Sequence, residues 1–416
     1  MPKFAHMSDI HIGAFRQPEL RKLVLDAFDL AIDECIGQGV SFVIMAGDVF
    51  DSNVPDLASV RRAAAKMKQA VDAGVRFYVV YGSHDFSPNY SSIVDVLHGA
   101  GLFTKAEEMQ GGADEVSLKF VVDPSGAKIC GISGKKLSID RDAYGVLDRR
   151  TLEAEPGLKI FVFHGALEEL KPSSLDMMEA MPASLLPAGF NYYAGGHVHS
   201  HTLESLPGRK NVAFPGPLFA TDYSELIELA HGARRGFYLV EFDDADIRSA
   251  RFIPVEVCGV VELHCSADGK PAGRVAEEMM KSASETDVSG KVVLLTVEGS
   301  LKSGRTTEVD LPAAKKKVLS NGALAVLSNT SKLSSEEFRP ASAGQKGARE
   351  TEREVFEHGI AGVKSDVGAL RGQSGVGLAL DLLSALRAEK KENETRGEFD
   401  ARVSRDGMAV LGLEAS

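Results

Sequence analysis

Apolar positions along the first hundred residues switch between two periods. Lys3–Met7, residues 41–45 and Arg76–Val80 are short apolar runs that read as strands, the second of them buried. Between the first two, residues 19–36 set Leu20, Leu23, Val24, Ala27, Phe28, Ala31 and Cys35 at i, i+3, i+4, i+7 spacing, one apolar helical face on which Cys35 is a core residue. Residues 57–73 predict a second helix, stopped by Gly74. Strand and helix alternating in this way predict an α/β sheet with helices packed on it. Further strands are expected at 119–122, Lys128–Ile132, 159–163, 192–194 and Gly236–Phe242.

Beyond about residue 245 a second alternation begins, with strands at 260–265, 291–297 and 323–328 and helices at 272–284 and 312–320. The layout expected is a first domain over 1–245, a small α/β domain over 246–332, a linker over 333–375 and a helical unit over 376–416. The linker is rich in Ser, Gly, Glu and Lys and reads as weakly ordered. In the last segment Val376, Leu380, Leu383 and Leu386 share a helical face, and Thr395 with Glu398 forms a capping box ahead of Phe399, Val403 and Val410. A helix, loop, helix unit of that size cannot bury its own apolar face, so it reads as a docking element.

Composition narrows the classes. At 416 residues, 44% hydrophobic and 25% charged, the chain has material for two or three domains and no compositional case for global disorder. Its net charge of −12 argues against binding nucleic acid by being basic all over. The absence of Trp, with only 7% aromatics, disfavours stacking on successive bases. Cys35, Cys130, Cys258 and Cys265 form no CxxC pair, so a reducing cytoplasm is expected. Neither an export signal nor an apolar run of about 18 residues is present, and no membrane partner is expected.

The strongest chemical signals each follow a predicted strand, where α/β sheets build their sites. Asp9 and His11 lie in SDIH, Asp48 in AGDVFD, His84 and Asp85 in GSHD, His164 in FHGAL, and His197 and His199 in GGHVH. Any one of these is more often structural than catalytic; all of them at strand ends point to a dinuclear metal site. Imidazole with carboxylate suits Mn, Fe, Zn or Co better than Mg or Ca. Two divalent ions with Asp9 and Asp48 leave about +2, a trap for a phosphodiester, and a metal pair roughly 3.5 to 4 Å apart activates water and stabilises both reacting oxygens. His6, in the same first motif, reads as a core residue.

SDIH, GDVFD, GSHD, HGAL and GGHVH resemble the five motifs of the calcineurin-like metallophosphoesterases. FAHMSDIHIG, VFDSNVP and FPGPLFATDYSE narrow the resemblance to DNA double-strand-break repair nucleases of the Mre-eleven or SbcD type, archaeal forms in particular. It covers about residues 1 to 240. The fold it implies is α/β: a metallophosphoesterase β-sandwich flanked by helices, with a smaller α/β capping domain and a C-terminal helical docking element. It implies two divalent ions, Mn2+, the first held by Asp9, His11, Asp48 and His199, and the second by Asp48, His164, His197 and Ser83. His84, not a ligand, would stabilise the pentacovalent phosphate or protonate the leaving oxygen, with Asp85 available to orient it.

The same resemblance implies exonuclease action on double-stranded DNA ends and endonuclease action on single-stranded DNA, in the cytoplasm at the nucleoid. The working form would be a homodimer with an ATPase of the Rad-fifty or SbcC type docked through 376–416. Dimer candidates are Val60, Met67, Val71, Ile93, Val94 and Leu97, on helices expected at 57–73 and 91–102. Lys315, Lys316 and Lys317, with Lys302 and Arg305, are candidates to contact DNA backbone. Two departures stand out: Ser83 replaces the Asn of the usual GNHD, a shorter and poorer ligand, and Asp51 stands where relatives commonly carry a histidine.

Overall fold

Alternate residues of the central strands bury two different faces, so each sheet carries an apolar layer on both sides. The strands, in chain order, are β1 (Lys3–Met7), β2 (Phe42–Ala46), β3 (Arg76–Val80), β4 (Thr104–Lys105), β5 (Val121–Val122), β6 (Lys128–Ile132), β7 (Lys159–His164), β8 (Tyr192–Gly196), β9 (Thr202–Leu206), β10 (Arg209–Phe214), β11 (Gly236–Phe242) and β12 (Ile247–Pro254). They form two six-stranded sheets, ordered β12-β11-β1-β2-β3-β4 and β9-β10-β8-β7-β6-β5. Phe4, Phe42, Ile44, Tyr78, Ile160, Val162 and Tyr192 fill the layer shared by the sheets. Phe4 stacks on Phe42 with ring centroids 5.1 Å apart. The structure is a computed structural model and describes residues 1–86, 92–112, 115–134, 143–172, 179–337, 348–361, 367–388, 390–391, 394 and 396–412.

The opposite face of the first sheet, with Ala5, Val43, Met45, Phe77 and Val79, packs against α1 (Pro18–Gln38) and α2 (Leu57–Asp72). The face predicted for α1 is the one buried, Cys35 included. Pro18 opens that helix, and Gly39, at φ 64°, closes it in the left-handed conformation. Asp56 caps α2 by accepting from the Ser59 N–H at 2.9 Å. The short helix α3 (Ile93–Gly99) follows; Ser91, the start expected for it, lies outside the described residues. Val60, Met67, Val94 and Leu97 are buried in the chain's own core, and Val71 and Ile93 pack on it. The exposed apolar residues nearby are instead Val54, Leu57 and Val96.

Parallel pairing of β1, β2 and β3 in one sheet, and of β6, β7, β8 and β10 in the other, brings the loops after β1, β2, β3, β7 and β8 together. The strand ends predicted to carry chemistry are those five.

The chain divides into two compact units. The first holds residues 1–265, 276–297 and 310–330. Besides the sandwich it contains α4 (Arg149–Ala154), α5 (Tyr223–Ala230) and most of a small α/β element. That element is built from β13 (Gly259–Ser266), α6 (Ala272–Glu285), β14 (Lys291–Leu301), α7 (Leu311–Ser320) and β15 (Ala325–Asn329). Val292, Leu294 and Ala325 belong to the same buried cluster as Leu20 and Phe28. The Tyr223 hydroxyl meets Thr296 Oγ1 at 3.1 Å. Lys316 and Lys317 are exposed on α7.

The second unit holds residues 266–275, 298–309 and 331–416. Strand β16 (Leu333–Ser335) pairs in parallel with residues 299–301, and α8 (Ala348–Ala361), α9 (Gly372–Leu386) and α10 (Arg396–Val410) follow. Helix α8 lies within the stretch that reads as a linker. Its Glu and Arg residues are good helix formers, and Ile360 meets Gly375 of α9 so closely that a Cβ there would sit 3.1 Å from Ile360 Cγ2. Further along α9, Gly407 of α10 lies against Leu382 and Leu386. The last apolar helices therefore cover part of one another, while Leu386, Met408 and Leu411 remain exposed. Thr395, the expected cap of α10, lies outside the described residues.

Candidate metal centre

Among the described residues six that are not glycine have positive φ, and four of them are Asp9 (51°), His11 (48°), Asp48 (51°) and His197 (88°). L-residues pay roughly 1–2 kcal/mol for that conformation, and backbone hydrogen bonds hold it. The Asp9 N–H donates to the Gly47 carbonyl and the His11 N–H to the Asp48 carbonyl, both at 3.0 Å. Both aspartates clamp other loops: Asp9 Oδ1 accepts from the His197 N–H at 2.8 Å, and Asp48 Oδ1 from the His84 N–H at 2.8 Å. Gly82 is glycine for space, since a Cβ there would sit 2.1 Å from Asp48 Oδ1.

Three histidines are oriented through Nδ1, which leaves Nε2 for another task. His164 Nδ1 meets the Ala46 carbonyl at 2.9 Å, a link from one sheet to the other. His84 Nδ1 meets the Asp51 carbonyl at 2.7 Å, and His199 Nδ1 meets Glu225 Oε1 at 2.5 Å. Both ring nitrogens of His11, and Nε2 of His164, are buried with no aligned hydrogen bond, facing only carboxylate oxygens: Asp51 Oδ1 3.2 Å from His11 Nδ1, and Asp48 Oδ2 3.8 Å from His11 Nε2 and 3.3 Å from His164 Nε2. Buried polar atoms left so, beside carboxylates, fit a divalent cation as the missing partner.

Asp9, His11 and His199 form one group whose ligand atoms all lie within 4.8 Å of one another; Asp9, Asp48 and His164 form a second, and His11, Asp48 and His84 a third. Asp9, His11 and Asp48 each enter two of them, so the groups form one continuous cluster. The His197 ring lies 5.2 Å from that of His164, and Ser83 is half-buried in the turn between Gly82 and His84.

Three neighbours differ from expectation. Asp85, fully buried, accepts from the backbone N–H groups of Gly82, Val49 and Phe50; it fixes the loops, while the Asp51 carbonyl orients His84. The Asp51 carboxylate, at the place where relatives commonly carry a histidine, lies 3.2 Å from His11 Nδ1. Glu225, with Arg235 behind it, is a neighbour that the motif reading misses. Asp51, Asp85 and Glu225 against Arg235 bring the formal balance with two divalent ions down from about +2 to about zero. His6 is a core residue, its Nδ1 on the Tyr192 hydroxyl at 3.0 Å and its pKa pushed down to about 3 by burial.

Burial works against charge throughout the cluster, and the partners decide the outcome. For His164 burial is outweighed by Asp48 and Asp9, which push it up to about 10. Burial would likewise raise Asp48, but His164 and His11 hold it well below the carboxylate range. His199 rises to about 9 because its hydrogen bond to Glu225 overcomes burial, and Glu225 falls to about 2 for the same reason. His197 is brought down to about 4 by burial and by His164. Burial and the nearby Asp48 raise Asp85 to about 6.

This sandwich and its cluster of Asp and His at converging strand ends form a centre able to hold divalent metal ions. Residues 2–201 match the calcineurin-like phosphoesterase family. Among curated proteins it is similar to the DNA double-strand break repair protein Mre11 of Archaeoglobus fulgidus, 26% identical over 61% of this chain and 61% of that protein. The Mre11 of Methanopyrus kandleri is 25% identical over 61% of this chain and 57% of its own length. The chain thus spans about three-fifths of these relatives. Of solved structures, a dimetal phosphatase from Danio rerio aligns at 12% identity and TM-score 0.37, covering 61% of this chain and 99% of that one.

Proposed function

We propose that the chain is a DNA nuclease of double-strand-break repair that uses two divalent ions, Mn2+, and works as a homodimer with an ATPase of the Rad-fifty type. The observation that carries the reading is the set of three Asp and His groups joined through Asp9, His11 and Asp48, with ring nitrogens of His11 and His164 buried against carboxylates. Asp9, His11, Asp48 and His199 would hold one ion; Asp48, His164, His197 and Ser83 the other. When bound, the ions supply Lewis-acid stabilisation of the phosphate oxygens and a water of lowered pKa.

The remaining work falls to the chain. With Nδ1 on the Asp51 carbonyl, His84 has Nε2 left to hold a proton for the leaving oxygen or to donate to a phosphate oxygen. Asp85 and Gly82 keep His84 and Asp48 in register. The names of the relatives support DNA as substrate.

The test is an assay with Mn2+ on linear duplex, single-stranded circles and a small chromogenic phosphodiester. Wild type cleaves both DNAs, Ser83→Asn cleaves at least as fast, and His84→Ser loses about 10²- to 10⁴-fold in rate with its metal content unchanged. Loss of metal in His84→Ser would make His84 a ligand, as the group of His11, Asp48 and His84 permits. Intact DNA with wild type and Ser83→Asn, while the small ester is cleaved, would leave a small-ester phosphodiesterase instead. Binding of DNA ends without hydrolysis of anything would leave an end-binding scaffold.

A further inference from the structure

We propose that Glu225 is a positioning residue that sets the tautomer and direction of His199, and so makes the metal position served by Asp9, His11 and His199 the tighter of the two. The proposal rests on the ligand reading given above. Glu225 uses both carboxylate oxygens: Oε1 accepts from His199 Nδ1 at 2.5 Å, and Oε2 from the Thr221 N–H at 2.7 Å and the Thr221 hydroxyl at 2.9 Å. Its side chain is 7% exposed. Rotating it away would forfeit all three bonds in a buried place, so the carboxylate is fixed before any ion arrives.

Arg235 completes the bracket. Its side chain is 5% exposed, its Nη2 lies 3.7 Å from Glu225 Oε1 and 2.7 Å from Glu228 Oε2, and its Nη1 donates to the His199 carbonyl. The ring and the backbone of His199 are thus held by two side chains that also hold each other. A carboxylate only accepts, so it requires the proton on Nδ1 and leaves the lone pair on Nε2, which lies 3.9 Å from Asp9 Oδ1. His164, on the other side of the cluster, hydrogen-bonds a neutral carbonyl through its Nδ1 at 2.9 Å, and the nearest carboxylate oxygen to that nitrogen, Asp9 Oδ1, stands 3.9 Å off. An anion behind the imidazole makes it the better donor to a cation. The inequality between the two positions is therefore built into what stands behind each histidine.

Titration of the metal-free full chain with Mn2+, followed by calorimetry and by the electron paramagnetic resonance spectrum at one equivalent, reads this directly. Wild type should bind in two phases, with an uncoupled single-ion spectrum at one equivalent. In Glu225→Gln the amide nitrogen faces either His199 Nδ1 or the Thr221 N–H, and either arrangement spoils the set. The tighter phase should weaken about ten- to a hundredfold, the weaker phase should hold, and the single-ion spectrum should change. Glu225→Asp, which keeps the charge but is one methylene short, should weaken the same phase, and it serves if the Gln variant fails to give a wild-type melting curve. Unaltered tight binding in folded Glu225→Gln and Glu225→Asp, where His199→Ala loses an ion, would overturn the positioning role alone. Equal weakening of both phases would overturn the inequality. Wild type that takes up no Mn2+, or uptake indifferent to His199→Ala, would overturn the ligand reading beneath it.

Discussion

Gly82 shows how little room the cluster allows. A Cβ at that position would meet Asp48 Oδ1 at 2.1 Å and the Asp48 backbone nitrogen at 2.4 Å, and the latter has nowhere to go because its neighbours are pinned by Asp85. Gly82→Ala should therefore displace Asp48 and lower stability by about 1–3 kcal/mol. Since Asp48 serves both proposed positions, both ions should be lost together; binding of two Mn2+ at wild-type affinity would contradict this. The Asp and His identities were readable from the sequence because their chemistry is local to five short motifs. Glu225 was not: in TDYSE, with Asp222 capping α5, it reads as the third residue of a helix start, and one of its oxygens does bond Thr221 there. Only the fold brings its other oxygen to a histidine 26 residues away.

Between elements, Asp123 is the polar tie across the sandwich. It follows β5 and accepts from Arg76 Nε at 2.6 Å and from the Tyr78 hydroxyl at 2.9 Å, both on β3 of the opposite sheet. Burial would raise its pKa, but Arg76 outweighs that and holds the carboxyl below its ordinary value. A carboxylate lowered in the folded state stabilises above its unfolded pKa of about 3.9, and that contribution is lost as pH falls through the folded value. Asp123→Asn should cost about 1–3 kcal/mol at pH 7 by denaturant unfolding. The difference from wild type should shrink as the pH is taken below the carboxylate range; a constant difference would refute it. Elements with strong periods, such as α1 and the buried strands, were legible. Helix α8 was not, because it presents few apolar residues and its partner face, at Gly375, is a glycine that carries no pattern.

For the molecule as a whole, the acidity lies where DNA is proposed to bind. Residues 1–330 hold 34 Lys+Arg and 44 Asp+Glu, and the two aspartates proposed to bind metal cannot account for that excess. The isolated chain should bind DNA weakly and with steep salt dependence, much of its affinity coming from metal and partner. The packing of α8, α9 and α10 on one another leaves Leu386, Met408 and Leu411 exposed, apolar surface of the kind that takes a partner helix. Deleting 376–416 should leave metal-dependent cleavage of single strands and abolish association with the ATPase in co-purification; unchanged association would remove the docking role.

The left-handed backbone at Asp9, His11, Asp48 and His197 bears on how this protein can be improved. Glycine is the residue that rests easily in that conformation, and the usual routes to a hardier protein begin by relieving such strain. Under the proposed ligand set, relief and loss of metal are the same substitution, because the strained residues are the ones proposed to carry the donor atoms. Heat tolerance must be engineered in the sandwich and its helices, leaving four stressed loop residues as the fixed frame around which any sturdier version is built.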